Sequence, residues 1–215
     1  MPTRSPTDRL IDGYKAFHAE YYQHRPELFE KLSTGQAPQV MVIACSDSRV
    51  DPAILLGTQP GEIFVVRNVA NIVPPYAPSD MLHGTSAALE FAVRDLGVKE
   101  IVILGHSGCG GIRGLVHTVT KEPLPREFIG PWMQAVRPAC DVLAGHSHAH
   151  GDADPDLSAV ERAAIRVSLG HLRTFPWIKE RVERGDLGLH GWWFDLATGD
   201  LMACQPETGA FAPVG

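Results

Sequence analysis

The chain has 215 residues, of which 44% are hydrophobic and 20% charged, and 19 Lys and Arg against 25 Asp and Glu give a formal net charge of −6. A chain of this length buries roughly 70% of the surface that it exposes when unfolded, so it can form a full core as one domain. The acidic balance and the lack of a basic stripe argue against nucleic-acid binding, and no apolar run approaches the ~18 residues of a membrane span.

The first residues and the cysteines indicate the cellular compartment. Residues 1–12 alternate proline, arginine, threonine and aspartate where a signal peptide would have an apolar stretch, so we expect a cytoplasmic protein. Four cysteines are too few and too scattered for a disulfide framework in a chain of this length. In a reducing compartment, they are candidates for metal binding or catalysis.

The N-terminal segment, residues 1–34, is predicted to be an amphipathic helical arm. Ser5 followed by Pro6 is a good helix start. Apolar side chains then recur at helical spacing until Pro26 interrupts the pattern: Leu10, Ile11, Tyr14, Phe17 and Tyr21. This apolar stripe can cover its own core or pack on a second subunit, and the pattern alone does not choose between the two.

The rest of the chain alternates between strand and helix patterns. Three apolar, β-branched runs predict strands buried on both faces, at residues 40–44, 63–66 and 101–104. Helical stretches are predicted at residues 81–96, 128–143, 157–172 and 176–184, and a hairpin at residues 190–196 and 201–205. We therefore predict an α/β fold, with a mostly parallel central sheet flanked by helices, a C-terminal antiparallel hairpin and an N-terminal helical arm.

Two chemically distinctive clusters follow predicted strands. Cys45-Ser-Asp-Ser-Arg49 comes after the first strand, and Gly105-His-Ser-Gly-Cys-Gly-Gly111 comes after the third. Ligands bind at the carboxyl ends of strands in open parallel sheets. Two thiolates and an imidazole there would form a zinc site of the catalytic kind, with a fourth position for water or substrate. A single cysteine at a strand end is more often packing, so the joint pattern is what favours a metal.

An acid and a base accompany the first cysteine. Asp47 and Arg49 point to the same side of an extended segment, and a guanidinium that binds a carboxylate through two N–H groups fixes its orientation and keeps it ionised. The alternative is an ordinary structural ion pair. The neighbouring cysteine and histidine favour a catalytic role.

These two clusters, joined by the segment Val65-Val-Arg-Asn-Val-Ala-Asn71, resemble the motifs of the β-class carbonic anhydrases. The resemblance is close over residues 36–115 and weaker over residues 167–175. It implies a zinc enzyme that reversibly hydrates carbon dioxide to bicarbonate and a proton by attack of a zinc-bound hydroxide. It also implies one Zn²⁺ per chain and a single domain over residues 1–215, in a dimer or larger homo-oligomer with the arm packed on the partner.

The resemblance also implies roles for individual residues. By position, Cys45, His106 and Cys109 resemble the zinc ligands, and Asp47 with Arg49 resembles the catalytic dyad. By the same resemblance, five further residues are assigned to the narrow substrate pocket: Gln36, Phe64, Val69, Phe91 and Gly110. Core packing is an equally good interpretation of Phe64 and Val69.

The chain resembles the plant-like branch of the class and departs from it in places. The other, bacterial allosteric branch has a Trp three positions before the first ligand, where this chain has Val42. Phe91 stands where the plant-like pattern has Tyr, and Asp95 where it often has His, so two groups that would help to move protons are missing. Three alternating histidines in a Gly- and Asp-rich stretch are more typical of a solvated loop than of a second metal site: His146, His148 and His150.

Two other functions stay open. Related proteins hydrolyse carbon disulfide or carbonyl sulfide at the same kind of zinc site, and access to the pocket would decide between the substrates. A non-catalytic zinc- or bicarbonate-binding module is disfavoured because Asp47 and Arg49 are both present. Cys140 and Cys204 are expected to be buried thiols without a role in the site.

Overall fold

The computed structural model describes residues 4–120, 126–144 and 156–214, and the chain divides into two compact units at Ala37 and Pro38. The first unit has three helical segments: α1 (Pro6–His18), a π-helical segment (Ala19–His24) and α2 (Pro26–Leu32). The Ser5 hydroxyl accepts the Thr7 N–H, and the Asp8 carboxylate accepts the Ser5 N–H, so the predicted helix start is confirmed as a capping box. No described residue of this unit is buried.

The second unit is built on one six-stranded sheet with the order β2-β1-β3-β4-β5-β6. Its strands are β1 (Val40–Cys45), β2 (Ile63–Asn68), β3 (Glu100–His106), β4 (Gly188–Phe194), β5 (Leu201–Cys204) and β6 (Phe211–Pro213). The first four strands are parallel to one another, whereas β5 pairs antiparallel with both β4 and β6. The predicted α/β fold and the C-terminal hairpin are confirmed, and β6 is a strand that the sequence pattern did not reveal.

Successive side chains of the central strands point to opposite faces of the sheet and pack into a hydrophobic core on each face. On β1, Met41 and Ile43 pack in the larger core, whereas Val42 and Ala44 face the opposite side of the sheet, and all four are fully buried. The prediction of burial on both faces is therefore confirmed for β1 and β3. It is wrong for β2, where Val65 is 38% exposed, because β2 is the edge strand of the described sheet.

Helices connect and cover these strands. They are α3 (Pro52–Leu55), α4 (Gly84–Glu90) with a π-helical extension (Phe91–Asp95), α5 (Gly110–Thr120), α6 (Ile129–Gln134), α7 (Leu157–Leu172) and α8 (Pro176–Glu183), together with 3₁₀ segments at Val69–Asn71 and Arg137–Leu143. The predicted helix at residues 128–143 is thus two segments. Pro138 explains the break, because its ring would clash with the Gln134 carbonyl in a continuous helix.

The structure also bears on two expectations, one about membrane-spanning helices and one about the remaining cysteines. Within residues 4–120, 126–144 and 156–214, none of the helices has the length and apolar character required to cross a bilayer. Cys140 is buried as expected, but Cys204 is only half-buried, because it lies on the short strand β5 near the sheet edge.

Candidate metal centre

Three potential metal ligands meet at the carboxyl edge of the parallel strands. Cys45 is the last residue of β1, His106 is the last residue of the adjacent strand β3, and Cys109 follows in the turn before α5. Their ligating atoms lie within 4.8 Å of one another, and all three residues are buried. Parallel pairing of β1 with β3 therefore produces the cluster that the sequence predicts.

The imidazole of His106 has one ring nitrogen available to bind a cation. Its Nδ1 lies 2.9 Å from the Ser107 carbonyl, which can only accept, so Nδ1 carries the proton and the lone pair is on Nε2. Nε2 is buried and makes no hydrogen bond within the described residues. A buried ring nitrogen without a hydrogen-bond partner is unfavourable, and a metal ion bound to it and to the two thiols would satisfy it. The donor set, two sulfurs and one imidazole, fits zinc with a fourth position left open.

The two thiols interact directly, because their sulfurs are 4.0 Å apart. The hydrogen bond from Cys109 lowers the pKa of the Cys45 thiol to about 4, although burial opposes this shift. The same hydrogen bond, together with burial, raises the pKa of the Cys109 thiol. A cation that binds both sulfurs would therefore displace the proton of the Cys109 thiol.

Asp47 and Arg49 form the ion pair that the sequence predicts, and its catalytic role stays a prediction. Arg49 donates from Nε to Asp47 Oδ1 at 2.9 Å and from Nη2 to Asp47 Oδ2 at 2.7 Å. The side-chain and backbone N–H groups of Arg49 hold the pKa of the Asp47 carboxyl well below its usual range. Asp47 Oδ2 is also 3.8 Å from His106 Nε2, so the ionised carboxylate lies next to the nitrogen that would bind the metal.

Arg67 shapes the loop that carries the dyad. Its Nε donates to the Cys45 carbonyl at 3.0 Å, and its Nη2 donates to the Asp47 carbonyl at 2.7 Å. Its Nη1 pairs with the Asp51 carboxylate at 2.9 Å, and that carboxylate also caps α3. A longer bond of 3.4 Å reaches the Val50 carbonyl, so one guanidinium bonds four residues between the end of β1 and the start of α3. Sequence reasoning included Arg67 in a motif but did not find this role.

The turn after β2 approaches the site closely. Ala70 has a left-handed backbone with φ of 65°, which the Asn68 side chain supports by bonding both the N–H and the carbonyl of Ile72. A Cβ at Gly111 would lie 2.9 Å from the Val69 side chain and 3.0 Å from that of Ala70. Glycine at the start of α5 is therefore required for this packing.

Glu161 is a buried carboxylate that sequence reasoning missed. It lies on α7, is 4% exposed, and accepts the backbone N–H of Cys109 at 2.8 Å. Burial raises the pKa of this carboxyl, although the Cys109 N–H and the Trp193 indole oppose the shift. A signal existed in the sequence, because Glu161 shares a helix face with the apolar residues Ala164 and Ile165.

The residues assigned to the substrate pocket have different surroundings. Phe64 packs against the larger core, and its ring centroid is 5.9 Å from that of Phe91. Val69 is 40% exposed and Phe91 44% exposed, and Gly110 begins α5. Gln36 is an exposed residue of the first unit. Their assignment to a pocket stays a prediction, as does the loop character of residues 146–150, which lie outside the described residues.

The fold and the site define an α/β protein with a Cys₂His metal centre at the carboxyl edge of a parallel sheet. A family model described as carbonic anhydrase matches residues 40–201. The chain therefore belongs to the carbonic anhydrase family, and its relatives place it in the β class.

Curated relatives and solved structures agree with this assignment. A carbonic anhydrase of Pseudomonas aeruginosa is 40% identical over 94% of this chain and 89% of its own length. β carbonic anhydrase 3 of Arabidopsis thaliana is 37% identical, over 95% and 80%. The structure of the β-carbonic anhydrase CcaA has a TM-score of 0.86 at 36% identity and covers 98% of this chain and all of its own. One of two tetrameric β-carbonic anhydrases from Sordaria macrospora has a TM-score of 0.79 at 30% identity, over 96% and 98%.

The resemblance to the β class, which rested on three motifs, is thereby confirmed. The β-class carbonic anhydrases are zinc enzymes, so the family and the donor set of Cys45, His106 and Cys109 agree on the metal.

Proposed function

We propose that this chain catalyses the reversible hydration of carbon dioxide to bicarbonate and a proton, with one zinc ion held by Cys45, His106 and Cys109. The observation that carries the proposal is the buried Nε2 of His106, which has no hydrogen-bond partner among the described residues and lies 3.8 Å from the Asp47 carboxylate. The ligating atoms of His106 and of the two cysteines lie within 4.8 Å of one another. Zinc bound to this set supplies a Lewis acid that lowers the pKa of a water molecule in the fourth position.

Asp47 and Arg49 would orient the reacting water. Asp47 Oδ2 would accept a hydrogen bond from that water, because the pKa of the carboxyl is held well below its usual range and the ionised carboxylate can only accept. Arg49 donates to both carboxylate oxygens, which would hold Asp47 in this orientation and keep it from becoming a metal ligand. Phe64, Val69, Phe91 and Gly110 would provide the narrow and largely apolar pocket for carbon dioxide.

The two other candidate functions are separated by one experiment. We expect the zinc-loaded protein to hydrate carbon dioxide in a stopped-flow assay and to hydrolyse carbon disulfide or carbonyl sulfide only slowly. Faster turnover of a sulfur-containing substrate would favour the rival enzyme. Full zinc content without turnover of any of the three substrates would favour a binding module.

We also propose that the protein assembles as a dimer or larger homo-oligomer, with residues 1–34 packed on a partner. In the first unit, Leu10 is 71% exposed and Tyr14 62% exposed, and an apolar helix face of this kind needs a covering surface. The tetrameric state of the Sordaria relatives supports the proposal. Sedimentation is expected to give a mass of at least two 23.4 kDa chains, and a monomer at micromolar concentration would contradict it.

A reducing compartment, such as the cytoplasm, is proposed for the site. Cys45 and Cys109 are free thiols with sulfurs 4.0 Å apart, and both must stay reduced to bind a metal. Localisation by a fluorescent fusion would test this expectation.

Proton export is expected to limit turnover. Each hydration releases a proton, yet the phenyl ring of Phe91 carries no proton-transfer group, and the exposed Asp95 stands where the plant-like pattern often has His. Raising the imidazole concentration at constant pH and ionic strength should therefore increase kcat and leave kcat/KM nearly unchanged.

Replacing Asp95 by histidine also tests whether proton export limits turnover. Asp95→His should weaken the dependence of kcat on buffer, whereas Asp141→His, at an exposed aspartate of the 3₁₀ segment after α6, should not. A wild-type kcat that is flat from low to high buffer would show that an internal relay exists.

A further inference from the structure

One peptide unit links the candidate metal centre to the dyad. The N–H of Cys109 donates to Glu161 Oε1 at 2.8 Å, and the carbonyl of Gly108 accepts from Arg49 Nη2 at 3.2 Å. These two groups belong to the same planar peptide, so a rotation that broke one bond would also break the other. This peptide is attached to the α-carbon of Cys109, so its orientation sets the direction of the Cys109 side chain. Gly108, on the other side of the peptide, has a left-handed backbone with φ of 67°.

Glu161 is itself held in place from a second direction. Its Oε2 accepts the indole N–H of Trp193 on β4 at 3.1 Å, and the guanidinium of Arg162 lies 5.1 Å from the centre of the Trp193 ring. Both carboxylate oxygens are therefore occupied by donors from two different elements. A carboxylate buried at 4% exposure is costly for the fold unless such bonds compensate it.

The surroundings of Glu161 argue against a purely structural purpose. Its neighbours on α7, Val160, Ala163 and Ala164, are buried and apolar, so an apolar side chain would suit this position for packing. What a carboxylate adds is a strong acceptor for an N–H group at the beginning of α5, where the helix dipole also favours negative charge.

We propose that Glu161 is a positioning residue of the metal centre: it fixes the Gly108–Cys109 peptide, and thereby directs the Cys109 thiolate at the metal and preserves the carbonyl that anchors Arg49. The proposal rests on the zinc site of the proposed function. Groups that hold metal ligands from outside typically change metal affinity by about 10- to 100-fold when they are replaced.

The test measures zinc release rather than activity alone. In Glu161→Met, which removes the acceptor and keeps an unbranched side chain, we expect the folded protein to transfer zinc to a chromogenic chelator about 10-fold faster than wild type, or more. The matched control is Ser168→Ala. Ser168 is fully buried on the same helix and accepts the Val73 N–H at 3.2 Å, so its loss affects stability but does not touch the metal centre.

A spectroscopic signature separates positioning from stability. With Co²⁺ in place of zinc, the thiolate-to-metal charge-transfer band should shift in Glu161→Met and stay unchanged in Ser168→Ala. Release at the control's rate together with an unchanged band would overturn the proposal. A wild-type protein that binds no zinc would instead overturn the proposed function on which this role depends.

Glu161→Gln keeps the test decisive if the methionine variant does not fold. The glutamine oxygen can accept the Cys109 N–H, but its amide group then meets the Trp193 N–H, donor against donor. Zinc release should therefore be intermediate, and adding Trp193→Phe, which removes the opposing donor, should slow it again. Wild-type release from Glu161→Gln, or a double variant faster than the single one, would contradict the assigned geometry.

Discussion

Cys45→Ser is expected to abolish tight zinc binding and, with it, carbon dioxide hydration. As a zinc ligand, the Cys45 thiolate would supply both negative charge and a soft bond to the metal, whereas a serine hydroxyl is neutral near pH 7. The residue is 5% exposed at the end of β1, so solvent does not offer an easy replacement ligand. Elemental analysis of the purified variant, together with its hydration rate, is the measurement.

Cys140→Ser is the matched control for this prediction. Cys140 is also a buried cysteine, at 7% exposure, but it lies on the 3₁₀ segment after α6 and outside the three-ligand cluster. The Cys140→Ser variant should keep a full complement of zinc and lose only some stability. Full zinc in Cys45→Ser would remove Cys45 from the coordination shell and would leave the metal to be held in another way.

Asp47→Asn is expected to keep zinc and to reduce turnover by a factor on the order of 10² or more, the range for losing an oriented hydrogen-bonding or acid–base partner. Asparagine is nearly the same size but places an amide donor where Arg49 now donates to both carboxylate oxygens. The pair would separate, and the acceptor beside the metal would lose its charge. Zinc content and kcat should be measured on the same preparation.

Asp186→Asn controls for the loss of an aspartate–arginine pair as such. Asp186 accepts from Arg184 Nε at 2.8 Å in an exposed pair beyond α8, and we expect its replacement to leave turnover unchanged. A near wild-type rate in Asp47→Asn would mean that Asp47 has only a structural role.

Much of the metal centre could be predicted because it depends on local patterns. Cys45 and His106 end two buried apolar runs, and the carboxyl ends of adjacent parallel strands must meet. The separation of Asp47 from Arg49 is two residues, so their pairing also follows from nearby sequence. The chemistry of these side chains then indicates zinc.

The supporting residues could not be predicted, because their partners are set by tertiary packing. Arg67 bonds carbonyl groups 20 and 22 residues before it, and Glu161 bonds an N–H group 52 residues before it. A backbone carbonyl or N–H group carries no sequence signal that would mark it as a partner. The edge position of β2 could not be predicted either, because Val65 and Val66 suit a central strand equally well.

The most direct test of the central claim is a zinc titration of metal-free protein under reducing conditions, with the rate of carbon dioxide hydration measured at each addition. The centre formed by Cys45, His106 and Cys109 predicts a rate that rises linearly and stops rising at one zinc per chain. Hydration by the metal-free protein, or no rate above the uncatalysed reaction after one equivalent has bound, would contradict it.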